Sequence, residues 1–215
     1  MNTKFIAEMT INHLGMRKIL QTMILSAQEA GASAVKLKLK NVNKYYKEDK
    51  KKWRNFNFKN YRGSLELHQE DFIDIDRFCK EIGMPWFCTV HDSESLEFLQ
   101  QFDLPFFKVA SMDSGDMGFV SEVAGVAKKN SASLVISVGG KSLEFIDKII
   151  EEVKGYSVDL HLLHTVSIYP TPLGQSNIGR IDVLKERYAK YDWVYVGYSG
   201  HEIGFSASLL AARKG

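Results

Sequence analysis

Cysteine is scarce in this chain: two residues in 215, Cys79 and Cys88, too few for a disulfide scaffold and not at metal-ligand spacing. Both read as reduced thiols of a cytoplasmic protein. Proline is rarer than average, with four residues, and no proline-rich linker divides the sequence. A charge excess of one sign is also lacking. Twenty-eight Lys and Arg stand against 26 Asp and Glu, which excludes a general nucleic-acid or membrane-surface protein, so any anion selectivity must be local. No uncharged apolar run reaches the ~18 residues of a membrane span. Nothing after the short apolar segment between Lys4 and Glu8 resembles a cleavage site, and a soluble, non-secreted chain is the expectation.

What is present is alternation. Short β-rich runs with period 2 are expected at Phe5 to Ile11, Ser33 to Leu39, Pro85 to Thr89, Phe106 to Ala110, Leu134 to Val138, Leu160 to His164 and Trp193 to Gly197. Amphipathic segments of period 3.6, such as Met16 to Ala30 and Glu70 to Ile82, lie between them. Strict β/α alternation specifies parallel strands with right-handed crossovers, here an α/β fold of the (β/α)8 TIM-barrel type. A full barrel takes about 250 residues. About seven of eight units are therefore expected over residues 1–215, as a single barrel domain that stops before strand eight and would be marginally stable alone. One segment breaks the pattern: Lys40 to Arg62 is basic and rich in aromatics. It reads as a rim loop or lid at the barrel mouth rather than a nucleic-acid arm, since the chain has no other basic stripe.

Polar residues fall where the apolar runs end, and in a barrel such ends converge on one pocket. Glu8, Asn12 and His13 follow the first run, Thr89, His91 and Asp92 the third, Lys108, Ser111 and Asp113 the fourth. Ser137 precedes Gly139-Gly140, while His164, Ser167, Tyr169, Ser199 and His201 close the list. In Ser33-Ala34-Val35-Lys36-Leu37-Lys38-Leu39 the period of 2 separates Val35, Leu37 and Leu39 from Lys36 and Lys38, and Lys108 is likewise flanked by apolar neighbours. Three inward ammonium groups lose hydration and repel unless something anionic lies between them. An anionic substrate, structural pairing with Glu8 and Asp113, and a Schiff-base lysine all satisfy that requirement. His164 and His201 at strand ends are hydrogen-bonding groups or metal ligands.

Several of these segments together resemble the sialic acid synthase (N-acetylneuraminate synthase) family. They are Ile6-Ala7-Glu8 with Ile11-Asn12-His13-Leu14-Gly15, Val35-Lys36, Phe107-Lys108-Val109-Ala110-Ser111, Leu163-His164 with Tyr169-Pro170-Thr171-Pro172, and Gly197-Tyr198-Ser199-Gly200-His201. The resemblance implies a barrel enzyme that condenses phosphoenolpyruvate with an N-acylated hexosamine such as N-acetylmannosamine. The products are a nine-carbon 2-keto sugar acid and phosphate, and the cofactor is a divalent metal, manganese or magnesium. It implies that Lys36, Thr89, Lys108, Ser111, Ser167 and Ser199 hold phosphoenolpyruvate and that Glu8 is the active-site carboxylate. Lys38, Asp113 and Tyr169 would contact the sugar, and His201 would be one metal ligand. A homodimer is implied for the full-length form. The sequence departs from the family pattern at Ser167 for Asn, Lys38 for Gln, Val138 for Thr and Gly200 for Asp, which keeps the phosphate side and alters the sugar side. Two alternatives stay open: another phosphoenolpyruvate-dependent 3-deoxy sugar acid synthase, which would take a phosphorylated acceptor, and a non-catalytic anion-binding fragment.

Overall fold

The computed structural model describes residues 3–46 and 57–215, so the central part of the Lys40 to Arg62 insertion, 47–56, lies outside the described residues. The chain divides into two compact units, Lys4–Pro105 and Phe106–Gly215.

In the first unit β1 (Ile6–Glu8), β2 (Ala34–Leu39) and β3 (Trp86–Val90) pair side by side in parallel. The register sets Glu8 beside Lys36 and Lys38 beside Thr89. Helices α1 (Arg17–Glu29) and α4 (Gln69–Ile82) follow β1 and β2, and α5 (Ser93–Leu99) follows β3. Between β2 and α4 the described ends of the insertion form α2 (Val42–Tyr45) and α3 (Phe58–Gly63). Each is started by an asparagine, Asn41 or Asn57, whose side chain accepts from backbone N–H groups of the first turn. An extended rim loop is thus partly helical here, because asparagine caps at both starts satisfy donors a bare loop leaves to water. Val35 and Leu37 are buried on the helix side of β2, while Phe72, Trp86, Phe98 and Phe102 form a chain of edge-on and tilted ring contacts behind β3. The first strand is shorter than its apolar run predicts, since Thr10 has a φ of 44° and turns the chain out of the ladder.

In the second unit β4 (Phe106–Val109), β5 (Ser133–Ser137), β6 (Leu160–His164) and β7 (Val194–Tyr198) are again parallel neighbours in chain order. Between them run α6 (Met117–Lys129), α7 (Leu143–Lys154) and α8 (Arg180–Tyr188), and α9 (Ser206–Arg213) follows β7. Asp116 and Ser142 cap α6 and α7 through the backbone N–H groups of Phe119 and Phe145. The buried stripe Ile146, Ile149, Ile150, Val153 has the i, i+3, i+4, i+7 spacing of a helix lying on a sheet. Phe107, Val109, Leu134, Ile136, Leu160 and Leu162 are fully buried, so the alternate residues Lys108, Ser133, Ser137 and His161 occupy the other face. Strand order follows chain order from β1 to β7, the pairings within each unit are parallel and helices alternate with strands, which is the arrangement of a TIM-type (β/α)8 barrel represented by seven units. No described helix is long and apolar enough to cross a membrane.

Candidate active site

The polar ends of the first unit are built around Lys36. Its side chain is almost wholly buried, and its ammonium pairs with the Glu8 carboxylate and donates to the Thr89 hydroxyl at 3.2 Å. The second Glu8 oxygen accepts from the Thr10 backbone N–H at 3.1 Å. One register step on, Lys38 donates to the Thr10 hydroxyl at 3.2 Å. Burial holds Lys38 below the ordinary ammonium range, and the nearby charges of Lys40 and Arg62 push it further the same way. Of the three ways to satisfy the inward lysines, Lys36 uses pairing with Glu8, which makes that pair electrically neutral. His13, predicted near the end of the first strand, is buried, and its Nδ1 accepts from the Gly15 N–H at 3.1 Å.

The second unit handles its lysine differently. Lys108 is 5% exposed and donates to the Ser137 hydroxyl at 2.9 Å. Alongside, the Ser111 hydroxyl accepts from the Gly139 N–H at 3.0 Å. Glycine is required there: a Cβ on residue 139 would lie 2.7 Å from the Ser167 hydroxyl, 2.7 Å from a Thr165 methyl and 3.0 Å from the Ser111 hydroxyl. The loops after β4, β5 and β6 thus meet at one backbone position, which brings Ser111 and Ser167 together. Asp113 sits in the tight turn after β4, its N–H bonded to the Ala110 carbonyl. The Ser199 N–H donates to the His164 carbonyl at 2.9 Å, tying the end of β7 to the end of β6.

The two strand-end histidines have separate roles. His164 shares its strand face with Leu160 and Leu162, is 3% exposed, and its Nε2 bonds to the Ser176 carbonyl at 2.9 Å. Burial lowers its pKa, and it serves the packing of the β6 to α8 loop. His201 Nδ1 donates to the Val166 carbonyl at 2.8 Å, the arrangement in which the second nitrogen of a metal-bound imidazole is usually held. The Tyr169 ring lies against it, centroids 4.0 Å apart. Among the described residues no three His, Cys, Asp or Glu side chains gather in metal-binding geometry. The donor set present therefore fits one metal ligand and not a complete cage.

Glu202 has a role that sequence reasoning missed. Its Oε2 lies 2.4 Å from where a Cβ on Gly200 would stand, and its carboxylate accepts from the Tyr198 hydroxyl at 3.0 Å, the Ser208 N–H at 2.9 Å and the Ser208 hydroxyl at 2.7 Å. Burial alone would raise this carboxyl, but the hydrogen bonds from Ser208 and Tyr198 prevail and hold it low. A carboxylate placed two residues later folds back over the glycine, filling the space a side chain at position 200 would take. The signal was available in Gly-His-Glu, an acid two positions after an unexpected glycine.

Residues 23–215 match the NeuB family. The chain is 28% identical to the N-acetylneuraminate-9-phosphate synthase of Drosophila melanogaster over 97% of its own length and 57% of that protein. It is 29% identical to a pseudaminic acid synthase of Campylobacter jejuni, over 98% of this chain and 62% of the other. Among solved structures, the N-acetylneuraminic acid (sialic acid) synthetase of Leptospira borgpetersenii, in complex with citrate, aligns with a TM-score of 0.85 at 26% identity, covering 98% of this chain and 69% of that one. The chain thus spans less than two thirds of the length of these curated relatives.

Proposed function

Because the chain belongs to the NeuB family, we propose that it carries the phosphoenolpyruvate-binding barrel of a synthase that condenses phosphoenolpyruvate with an N-acylated amino sugar. The products are a nine-carbon 2-keto sugar acid and phosphate. The observation that carries this reading is the buried Lys108 ammonium held by Ser137 at the end of β4, next to the hydroxyl of Ser111 on the Gly139 amide. A desolvated ammonium that donates to a hydroxyl suits an oxyanion, because it can supply a charge-assisted hydrogen bond.

In the proposed reaction C3 of phosphoenolpyruvate attacks the sugar aldehyde, water adds at C2, and C–O cleavage releases phosphate. Lys36 and Lys108, with Thr89, Ser111, Ser167 and Ser199, hold the phosphate and carboxylate of phosphoenolpyruvate. Glu8 accepts a proton from the water that adds at C2. Its partner Lys36 stabilises the carboxylate form needed for that task. Lys38, Asp113 and Tyr169 contact the acceptor. His201 supplies one ligand to a divalent cation, manganese or magnesium, which when bound polarises the aldehyde oxygen. Calorimetry with phosphoenolpyruvate tests the reading: one-to-one binding that weakens in Lys108→Ala is expected, and absence of binding overturns it.

A further inference from the structure

The turn after β1 holds a threonine where the backbone does not favour one. Met9 is buried and its N–H still bonds to the Lys36 carbonyl at 2.9 Å, so the chain keeps its place beside β2 to residue 9 and turns at Thr10, whose φ is 44°. Of the described non-glycine residues with positive φ, Thr10, Leu14, Ser131, Ser157 and Asn177, it alone is β-branched. A branched Cβ crowds the backbone in the left-handed region, where glycine sits without strain, and such outliers persist where their surroundings hold them and gather at functional sites. Each polar group of Thr10 is engaged. Its N–H donates to Glu8 Oε1 at 3.1 Å, and its hydroxyl accepts from Lys38 Nζ at 3.2 Å. His13 Nδ1 accepts from the Gly15 N–H, which leaves Nε2 as the donor to the Thr10 carbonyl.

These contacts differ in what they ask of residue 10. The bonds to Glu8 and His13 use the backbone and would survive glycine there, which would also relieve the strain. The bond to Lys38 needs a hydroxyl. Threonine supplies one in a fixed direction, because two heavy substituents on Cβ restrict χ1. With its other oxygen paired to Lys36, the Glu8 carboxylate is held at both oxygens. We propose that Thr10 is a positioning residue, kept in a strained conformation so that its amide orients Glu8 and its hydroxyl orients Lys38 before any substrate binds. Its use to the reaction rests on the reading above, in which Glu8 accepts a proton and Lys38 contacts the acceptor, since groups fixed beforehand need no reorganisation as the reaction proceeds.

Nuclear magnetic resonance on the full chain, with isotope-labelled lysine and backbone nitrogen, tests both halves, the Lys38 signal being assigned by its loss in Lys38→Gln. Thr10→Val keeps the branched shape and deprives the Lys38 ammonium of its acceptor, so the Lys38 Cε resonance should shift and its titration midpoint should fall by about half a pH unit or more. Thr10→Ser should keep both near their original values. Lys40, Arg62, Glu66 and Tyr46 also act on Lys38 and are the same in every variant, so the difference between variants reads the hydroxyl. Thr10→Gly suits a positive φ and should move Lys38 as Thr10→Val does, which keeps the test decisive where valine does not fold. The Thr10 amide proton should follow the Glu8 carboxylate through an acid titration and lose that response in Glu8→Gln. A Lys38 signal unmoved by both Thr10→Val and Thr10→Gly overturns the proposal, as does an amide proton indifferent to Glu8→Gln. Phosphoenolpyruvate titrated into the same samples separates the two readings: if it fails to bind while both signatures appear, the proposed reaction fails and the positioning role of Thr10 stands.

Discussion

The buried lysines of the two units have different neighbours. Lys36 is matched by a carboxylate, Glu8, whereas Lys108 is held by a hydroxyl, Ser137. Around them the first unit is rich in formal charge, with Lys38, Lys40, Arg62 and Glu66, and the second in hydroxyls and close backbone approach, with Ser111, Thr165 and Ser167 packed around Gly139. Removing a charge should therefore damage the first unit most, and adding volume the second. Ion pairing depends on the sign of a neighbour, and close packing depends on its size.

The largest expected effect separates the two lysines. Lys108→Ala removes a charge-assisted contact, roughly 1.5–3 kcal/mol, and should weaken phosphoenolpyruvate binding at least tenfold. Lys36→Ala also leaves Glu8 without its countercharge, so an anionic ligand then meets a bare carboxylate and the loss should be greater. Calorimetry on Lys36→Ala with and without Glu8→Gln checks this: the double variant should recover part of the lost affinity. Equal losses in both single variants would erase the distinction between the units.

Next in size is Gly139→Ala. The new methyl overlaps Ser167 and Thr165, and overpacking of this kind costs about 1–3 kcal/mol, read as a lower Tm and weaker protection of the Gly139 amide from exchange. An unchanged Tm would show that the three loops yield.

A sharper test within the second unit exploits Glu202. Gly200→Asp alone places a second acid against Glu202 and should destabilise by about 1–2 kcal/mol. Gly200→Asp with Glu202→Thr removes the conflict and should restore most of the loss, whereas two additive penalties would show that the carboxylates do not compete for one place.

The smallest effect treats the units alike. Burial lowers the pKa of His13 in one and of His164 in the other from the ordinary 6.5. The unfolded chain therefore takes up protons at these positions before the folded one does, so the stability they contribute is complete above pH 6.5 and falls as pH drops below it. Tm measured between about pH 7.5 and 5 should decline on acidification, with a shallower slope in His13→Gln and again in His164→Gln. A slope untouched by either substitution would locate the acid sensitivity elsewhere.

The alternation of strands and helices was legible from periodicity alone, and all seven runs became strands, because a side chain's face in a strand follows from its place in the chain. The same parity put Lys36 and Lys38 on one face of β2 and Lys108 opposite Phe107 and Val109. By itself, then, the sequence determined the β/α order, the face each lysine takes and the family motifs. Contacts set by distance rather than by parity were decided only in three dimensions. Pairing of Lys36 with Glu8 depends on strand register, and the assignment of His164 to packing with Ser176 depends on where the loop after β6 returns. Lys40 comes within 3.9 Å of Glu66 because the chain after α3 returns beside the end of β2, and Glu202 covers Gly200 because the loop after β7 curls to cap α9. Each of these joins residues through a turn whose path no periodicity encodes, and so only the tertiary structure could bring them together.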